Sequence, residues 1–281
     1  MNYREAVNAG TQRLNESGVP EADLDAWYLL EFCLKKRGVD ANRTWFLLHR
    51  EESMSEEEAE SYQALLEVRA KRIPLQQITG EQEFMGFDFL VNEHVLIPRQ
   101  DTEILVEEAM RKVKSGAKVL DMCTGSGCIL ISLMKLVSGL DGTGADISSE
   151  ALKVAGKNAE RLSVKAELVE SDLFSEIQGE FDLIVSNPPY IPTKVVEGLM
   201  EEVRDHEPWG ALDGKEDGLH FYRRIVSESR AYLKTGGWLL FEIGYDQAEA
   251  VMELLTKAGF LDVYKKQDLT GLDRVVGGRK P

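Results

Sequence analysis

Four consecutive residues of this 281-residue chain, Asn187-Pro188-Pro189-Tyr190, form a compact chemical kit. They follow the apolar run Phe181 to Ser186, which reads as a buried strand. The tetrad therefore sits at a strand's carboxyl end, where open α/β sheets place their ligand crevice. Pro188 holds Asn187 in extended backbone. The two prolines remove two backbone donors and leave carbonyls as outward acceptors on a stiff loop. Asn187 adds a side-chain acceptor and donors, and Tyr190 a flat apolar face with a polar tip. Two acceptors and an aromatic face suit a planar –NH2 group. An ordinary Pro-Pro turn has the same composition, so the tetrad alone does not decide.

A second signal lies upstream. Lys118 to Met122 reads as a short strand, Cys123-Thr124-Gly125-Ser126-Gly127 follows, and Cys128 to Met134 opens an apolar helix. Strand, glycine-rich turn and helix are the first unit of a nucleotide-binding α/β fold. Gly125 and Gly127 permit positive φ and close approach of backbone to ligand. Gly142 to Ala145 reads as the next strand and ends in Asp146, the place for a carboxylate on ribose hydroxyls, with a helix N-cap ahead of Ser148 as the bland alternative. Ser126-Gly127 leads straight into the helix without a further x-x-Gly. That favours a nucleoside without phosphate over a dinucleotide.

At these residues the chain resembles the class I S-adenosylmethionine-dependent methyltransferases, and Asn-Pro-Pro-Tyr narrows the resemblance to enzymes that methylate planar nitrogens. The wider match adds Ile97-Pro98-Arg99-Gln100-Asp101-Thr102-Glu103, Glu170-Ser171-Asp172-Leu173-Phe174, Phe241-Glu242-Ile243-Gly244 and Asp268 to Arg274. This set is similar to the peptide chain release factor glutamine methyltransferase family (PrmC/HemK) over nearly the whole length. The resemblance implies a Rossmann-like mixed sheet of about seven strands behind a small N-terminal helical domain, joined by a β-hairpin. It also implies S-adenosylmethionine as cofactor and class 1 release factors as protein substrate. Cofactor-binding positions would be Asp121, Cys123, Thr124, Gly125, Ser126, Gly127, Asp146, Asp172, Leu173 and Asn187, with Asp172-Leu173 beside the adenine. Asp121 would hold either the glycine loop or the amino group of the methionine moiety. Substrate would meet Asn187, Pro188, Pro189 and Tyr190, of which Asn187, Pro188 and Tyr190 would be catalytic. In one respect the chain departs from the family: the loop usually begins Asp-x-Gly-x-Gly, and Cys123 stands at the first glycine. A Cβ there implies a negative φ, or a ligand that approaches the next turn more closely.

Composition sets bounds. A hydrophobic fraction of 43% with 29% charged residues is ordinary for a globular protein. No apolar run reaches transmembrane length, the first residues do not start a signal peptide, and the odd set Cys33, Cys123 and Cys128 lacks metal-ligand spacing with the four histidines. A cytoplasmic, monomeric protein without a metal site is the expectation. A net charge of −16 weighs against a polyanionic partner, so direct nucleic-acid binding is not expected.

The elements that must position this chemistry follow from periodicity. Residues 1–73 read as a set of short helices, the last with a capping pattern over Ser53 to Glu58, and form a substrate-recognition domain. Residues 74–96 read as a β-hairpin linker broken at Gly86, and 97–281 as the methyltransferase domain, with α/β alternation from Thr102 onward. Glu197 to Gly218 is too long for a simple connector and reads as a substrate-facing lid. For function, a glutamine methyltransferase competes with two alternatives. One is an enzyme acting on an adenine amino group, disfavoured by the acidity. The other is a non-catalytic module retaining the fold, disfavoured by the intact Asn187 and glycine loop. Within the first reading, a ribosomal protein glutamine is the other substrate.

Overall fold

Asn2 starts the first helix, α1 (Tyr3–Glu16), with a capping box: its Oδ1 accepts from Glu5 N at 2.8 Å, and Glu5 returns a carboxylate to Asn2 N at 2.9 Å. Next come α2 (Ala22–Lys35), α3 (Arg43–His49), α4 (Glu56–Arg69) and α5 (Leu75–Thr79). Ser55 and Glu58 form the capping box of α4 that the acidic run foreshadowed. These helices close over Trp27, Leu29, Leu30, Leu34, Tyr62 and Leu66. The computed structural model describes residues 1–281. One compact unit consists of Met1–Gly80 with Met200–His206, and a second of Glu81–Leu199 with Glu207–Pro281.

The helical unit runs past Pro74, because a proline with its fixed φ is compatible with a helix start and here caps α5. Its inclusion of Met200–His206 was not visible in the chain's periodicity. Arg69 sits between Asp25 (2.6 Å) and Glu202 (3.0 Å), and Arg72 pairs with the same Glu202 (2.5 Å) and with Glu201 (3.0 Å). Arg69, Asp25 and Glu202 are all buried, so each charge depends on the others for compensation.

The second unit opens with the hairpin β1 (Glu81–Phe84) and β2 (Phe87–Leu90), its turn taken through Met85 and Gly86 at φ 54° and 78°. Then follow α6 (Gln100–Met110), β3 (Lys118–Met122), α7 (Cys128–Leu136), β4 (Asp141–Asp146), α8 (Ser149–Arg161), β5 (Glu167–Glu170) and β6 (Phe181–Ser186). Three one-turn helices, α9 (Thr193–Val196), α10 (Glu201–Arg204) and α11 (Trp209–Leu212), precede α12 (His220–Tyr232), β7 (Leu233–Glu242), α13 (Ala248–Lys257), β8 (Leu261–Gln267) and β9 (Asp273–Arg279). Of these, α10 belongs to the helical unit.

The sheet has seven strands in the order β5-β4-β3-β6-β7-β9-β8. The first five are parallel, and β9 and β8 add antiparallel. From β3 the chain winds outward to β5 on one side, and from β6 to β7 on the other. The switch point therefore lies between the carboxyl ends of β3 and β6, where such sheets hold ligands. Buried β-branched and leucine side chains fill both faces of these central strands: Val119 and Leu120 on β3, Leu183, Ile184 and Val185 on β6.

Candidate active site

At the end of β3 the chain turns through Cys123, Gly125 and Gly127, all with positive φ (63°, 55° and 79°), and enters α7. Cys123 is thus left-handed despite its Cβ, which corrects the expectation of a negative φ. The turn is over-determined by its bonds: Thr124 N donates to Ala145 O at 3.0 Å, Gly127 N to Thr124 O at 2.8 Å, and Asn158 Nδ2 to Ser126 O at 2.9 Å. Burial pushes the Cys123 thiol up, so it stays neutral.

Asp121 holds this turn from behind. Its Oδ2 accepts from Thr124 Oγ1 at 2.6 Å, and its side chain is wholly buried, off the cavity wall. Burial raises its carboxyl to about 7. Of the two roles the sequence left open, the geometry supports the loop-holding one. Asp146, at the end of β4, accepts from Gly125 N and Ser148 N, both at 2.9 Å. The helix N-cap is Ser148, so Asp146 is not the cap, and its carboxylate faces the cavity while bracing the glycine turn.

The two strand ends meet on a cavity of about 320 Å³. Cys123, Thr124, Gly125, Ser126, Asp146, Asp172, Leu173, Asn187 and Pro189 line it; Asp121, Gly127, Pro188 and Tyr190 do not. The split within the tetrad has a simple cause. In extended chain successive residues face opposite ways, so Asn187 and Pro189 look inward and Pro188 and Tyr190 away. Tyr190 turns its hydroxyl to Glu242 Oε1 at 3.3 Å instead of lying over a cavity occupant, and burial raises its phenol well above the usual range. Gly127 serves packing, since a Cβ there would stand 2.8 Å from Ile131 Cδ1. Asp172 pairs with Arg224 at 2.9 Å while still facing the cavity. Asn187 has its Nδ2 3.5 Å from Thr102 Oγ1.

Other wall residues carried no local signal: His94 to Leu96 from the segment after β2, Phe221 on α12, and Pro208, Gly210, Ala211 and Lys215. The last four lie in the segment read as a lid. That stretch is bonded to the chain that follows Tyr190: Ile191 N donates to Leu212 O at 3.0 Å, Gly214 N to Ile191 O at 2.8 Å, and Thr193 N to Lys215 O at 3.0 Å. Arg99, also on the wall, is paired with the buried Glu207.

Residues 5–80 match the family described as PrmC N-terminal domain, and residues 100–203 the methyltransferase small domain. A release factor glutamine methyltransferase of Geobacter sulfurreducens is 46% identical over 95% of this chain and 92% of its own length. One of Clostridium botulinum is 39% identical over 100% of both. The chain belongs to the release factor glutamine methyltransferase family. Among solved structures, the human Mettl16 catalytic domain in complex with an RNA hairpin has a TM-score of 0.57 at 18% identity, covering 76% of this chain and 81% of its own. A methyltransferase of Pyrococcus furiosus has a TM-score of 0.53 at 17% identity, covering 69% and 89%. At such identities these two show the shared fold. No helix is long and apolar enough to cross a membrane.

Proposed function

We propose that this protein transfers the methyl group of S-adenosylmethionine to the side-chain amide nitrogen of the glutamine in the Gly-Gly-Gln motif of class 1 peptide chain release factors. The observation that carries the reading is that Asn187 and the loop Cys123 to Ser126, with Asp146, face one cavity in a chain 46% identical to a release factor glutamine methyltransferase. The wall fits a nucleoside. Asp146 keeps lone pairs beyond its two backbone bonds, and Ile147, 70% exposed, and Leu173 offer apolar surface beside it.

The bound cofactor supplies an electrophilic methyl group on a sulfonium. An amide nitrogen is a poor nucleophile because its lone pair is delocalised into the carbonyl, so the chain's task is orientation and charge stabilisation. Asn187, on the cavity wall, accepts one amide hydrogen through Oδ1, whereas Pro188, the second acceptor the sequence suggested, is off that wall. This acceptor gains strength as positive charge develops on nitrogen, so it stabilises the transition state more than the substrate. The proton leaves to water once nitrogen is alkylated. The helical unit, which supplies no cavity residue, docks the intact release factor.

Incubation of the full chain with release factor and isotopically labelled cofactor, followed by peptide mass spectrometry, should place one methyl on that glutamine. An unmodified release factor beside a labelled ribosomal protein would replace this substrate with the alternative. A chain beginning at Glu81 should methylate a short Gly-Gly-Gln peptide but lose most activity on intact release factor. Equal activity on both would remove the docking role.

A further inference from the structure

Within the family pattern, the segment Ile97 to Arg99 has no part in the chemistry above, yet Pro98 and Arg99 both lie on the cavity wall. The cofactor brings a carboxylate at its amino-acid end, and the wall must meet that charge. The nucleoside end cannot, because Asp146 and Asp172 already stand there. Two strong cations line the cavity, Lys215 and Arg99. The Lys215 charge is spent locally: Nζ lies 3.0 Å from Asp213 Oδ2, and the Lys215 backbone N donates to Asp213 Oδ1 at 2.9 Å. His94, the remaining basic side chain on the wall, lies 3.8 Å from Glu93. Arg99 is committed at one nitrogen only. Its Nη2 pairs with the buried Glu207, while Nε and Nη1 have no partner in the chain.

We infer that Arg99, at the start of α6, binds the carboxylate of the cofactor's methionine moiety and so makes the site selective for a sulfonium nucleoside that carries one. A guanidinium owns five N–H donors in a planar fork, which matches a carboxylate. Arg99 is also the residue at which α6 begins, and no side chain caps the helix there, so its positive end adds to the same field. The two acids of that first turn are engaged elsewhere. Asp101 pairs with Arg274 at 3.0 Å, Glu103 accepts from Met85 N at 2.6 Å, and neither lines the cavity. The placement agrees with the path of the cofactor. Thr102, in the same turn, has its Oγ1 3.5 Å from Asn187 Nδ2, so this end of α6 lies beside Asn187, on the methyl side of the cavity. The amino-acid tail leaves the sulfur there. The buried Glu207 holds the guanidinium in place, so little side-chain freedom is lost when the carboxylate arrives.

The orientation of the cofactor rests on the reading of Asn187 and Asp146 above, so the experiment carries Asp146→Ala as a separate arm. Calorimetry on the full chain gives the affinities for S-adenosylmethionine and for its decarboxylated analogue in wild type, Arg99→Gln, Lys215→Ala and Asp146→Ala. We expect wild type to prefer the carboxylate-bearing compound by about tenfold or more. Arg99→Gln should lose that preference through weaker binding of S-adenosylmethionine alone, with the analogue within about twofold. Asp146→Ala should weaken both compounds alike and keep the preference, and Lys215→Ala should keep it too. A wild type without preference overturns the inference. So does a folded Arg99→Gln that keeps the preference, or one that weakens both compounds equally, which would mark a role in wall packing. Preference lost in Lys215→Ala and kept in Arg99→Gln would assign the carboxylate to Lys215 and overturn it as well. If Arg99→Gln is unstable because Glu207 loses its partner, Arg99→Gln combined with Glu207→Gln decides by the same comparison. Wild-type affinity in Asp146→Ala would instead overturn the ribose reading and leave the Arg99 comparison standing.

Discussion

At the level of single residues, the proposed work is divided between Asn187, which follows β6 at the switch point, and Asp146, which ends β4 one strand beyond β3. Asn187→Ala removes the acceptor for the amide hydrogen, so orientation and charge stabilisation both suffer. A rate loss on the order of a hundredfold or more is expected in single-turnover methylation, with cofactor affinity barely changed. Asn187→Asp keeps an acceptor but loses the NH2 that Thr102 holds, and should retain part of the activity. Near wild-type turnover by Asn187→Ala would leave the tetrad as a structural turn. Asp146→Ala removes the brace on Gly125 N and, in the proposed reading, charge-assisted bonds to ribose. Calorimetry should show cofactor binding weaker by about 1–3 kcal/mol. Unchanged affinity in the folded variant would rule out the ribose role.

Between elements, the connection from β6 to α12 is the part whose attachment sequence patterning did not show. Its cavity-lining stretch is sewn to the residues after Tyr190, and two glycines make that possible. A Cβ on Gly214 would stand 2.7 Å from the Tyr190 carbonyl carbon, and one on Gly218, at φ 74°, 2.3 Å from Tyr190 O. Gly218→Ala therefore has to move the backbone that carries Asn187. It should lower stability by about 1–3 kcal/mol and depress turnover more than cofactor affinity. A melting temperature and a rate equal to wild type would mean the wall is looser than described. In the helical unit, Arg69→Ala would strand the buried carboxylate of Asp25 and leave that of Glu202 to Arg72 alone. A loss of about 3–5 kcal/mol in chemical denaturation is expected, and a loss below about 1 kcal/mol would show that the network contributes little.

Over the whole molecule, a net charge of −16 and two deeply buried carboxyls shape the response to pH. Burial raises both Asp121 and Glu242 to about 7 in the folded chain. Between their unfolded values near 4 and that point, the folded state holds two protons that the unfolded state has released. Stability therefore falls as pH rises from about 5 to 7. Asp213 acts in the other direction and in another window. Against the burial that would raise it, bonds from Thr193 and Lys215 hold it at about 2, so its contribution is present above pH 4 and lost below. The melting temperature should thus be higher at pH 5 than at pH 7, with a shallower decline in Asp121→Asn. A melting temperature that rises from pH 5 to 7 would contradict the burial of these two groups in neutral form.

Much of this protein is determined by local sequence. Apolar runs of strand length, glycine turns, caps and alternation act through neighbours in the chain. They sufficed for the seven-strand sheet, the helical N-terminal segment, the glycine loop and the strand-end Asn187. Three things required tertiary structure because they depend on residues far apart in sequence. Which face of the tetrad looks into the cavity follows from the pleat of an extended chain whose start is set by β6, so Pro188 and Tyr190 face away. Cys123 takes a left-handed φ because bonds from Ala145 and Asn158, on other elements, close the turn around it. The bond from Tyr190 to the buried Glu242 joins the loop after β6 to the end of β7, which only the sheet order brings side by side.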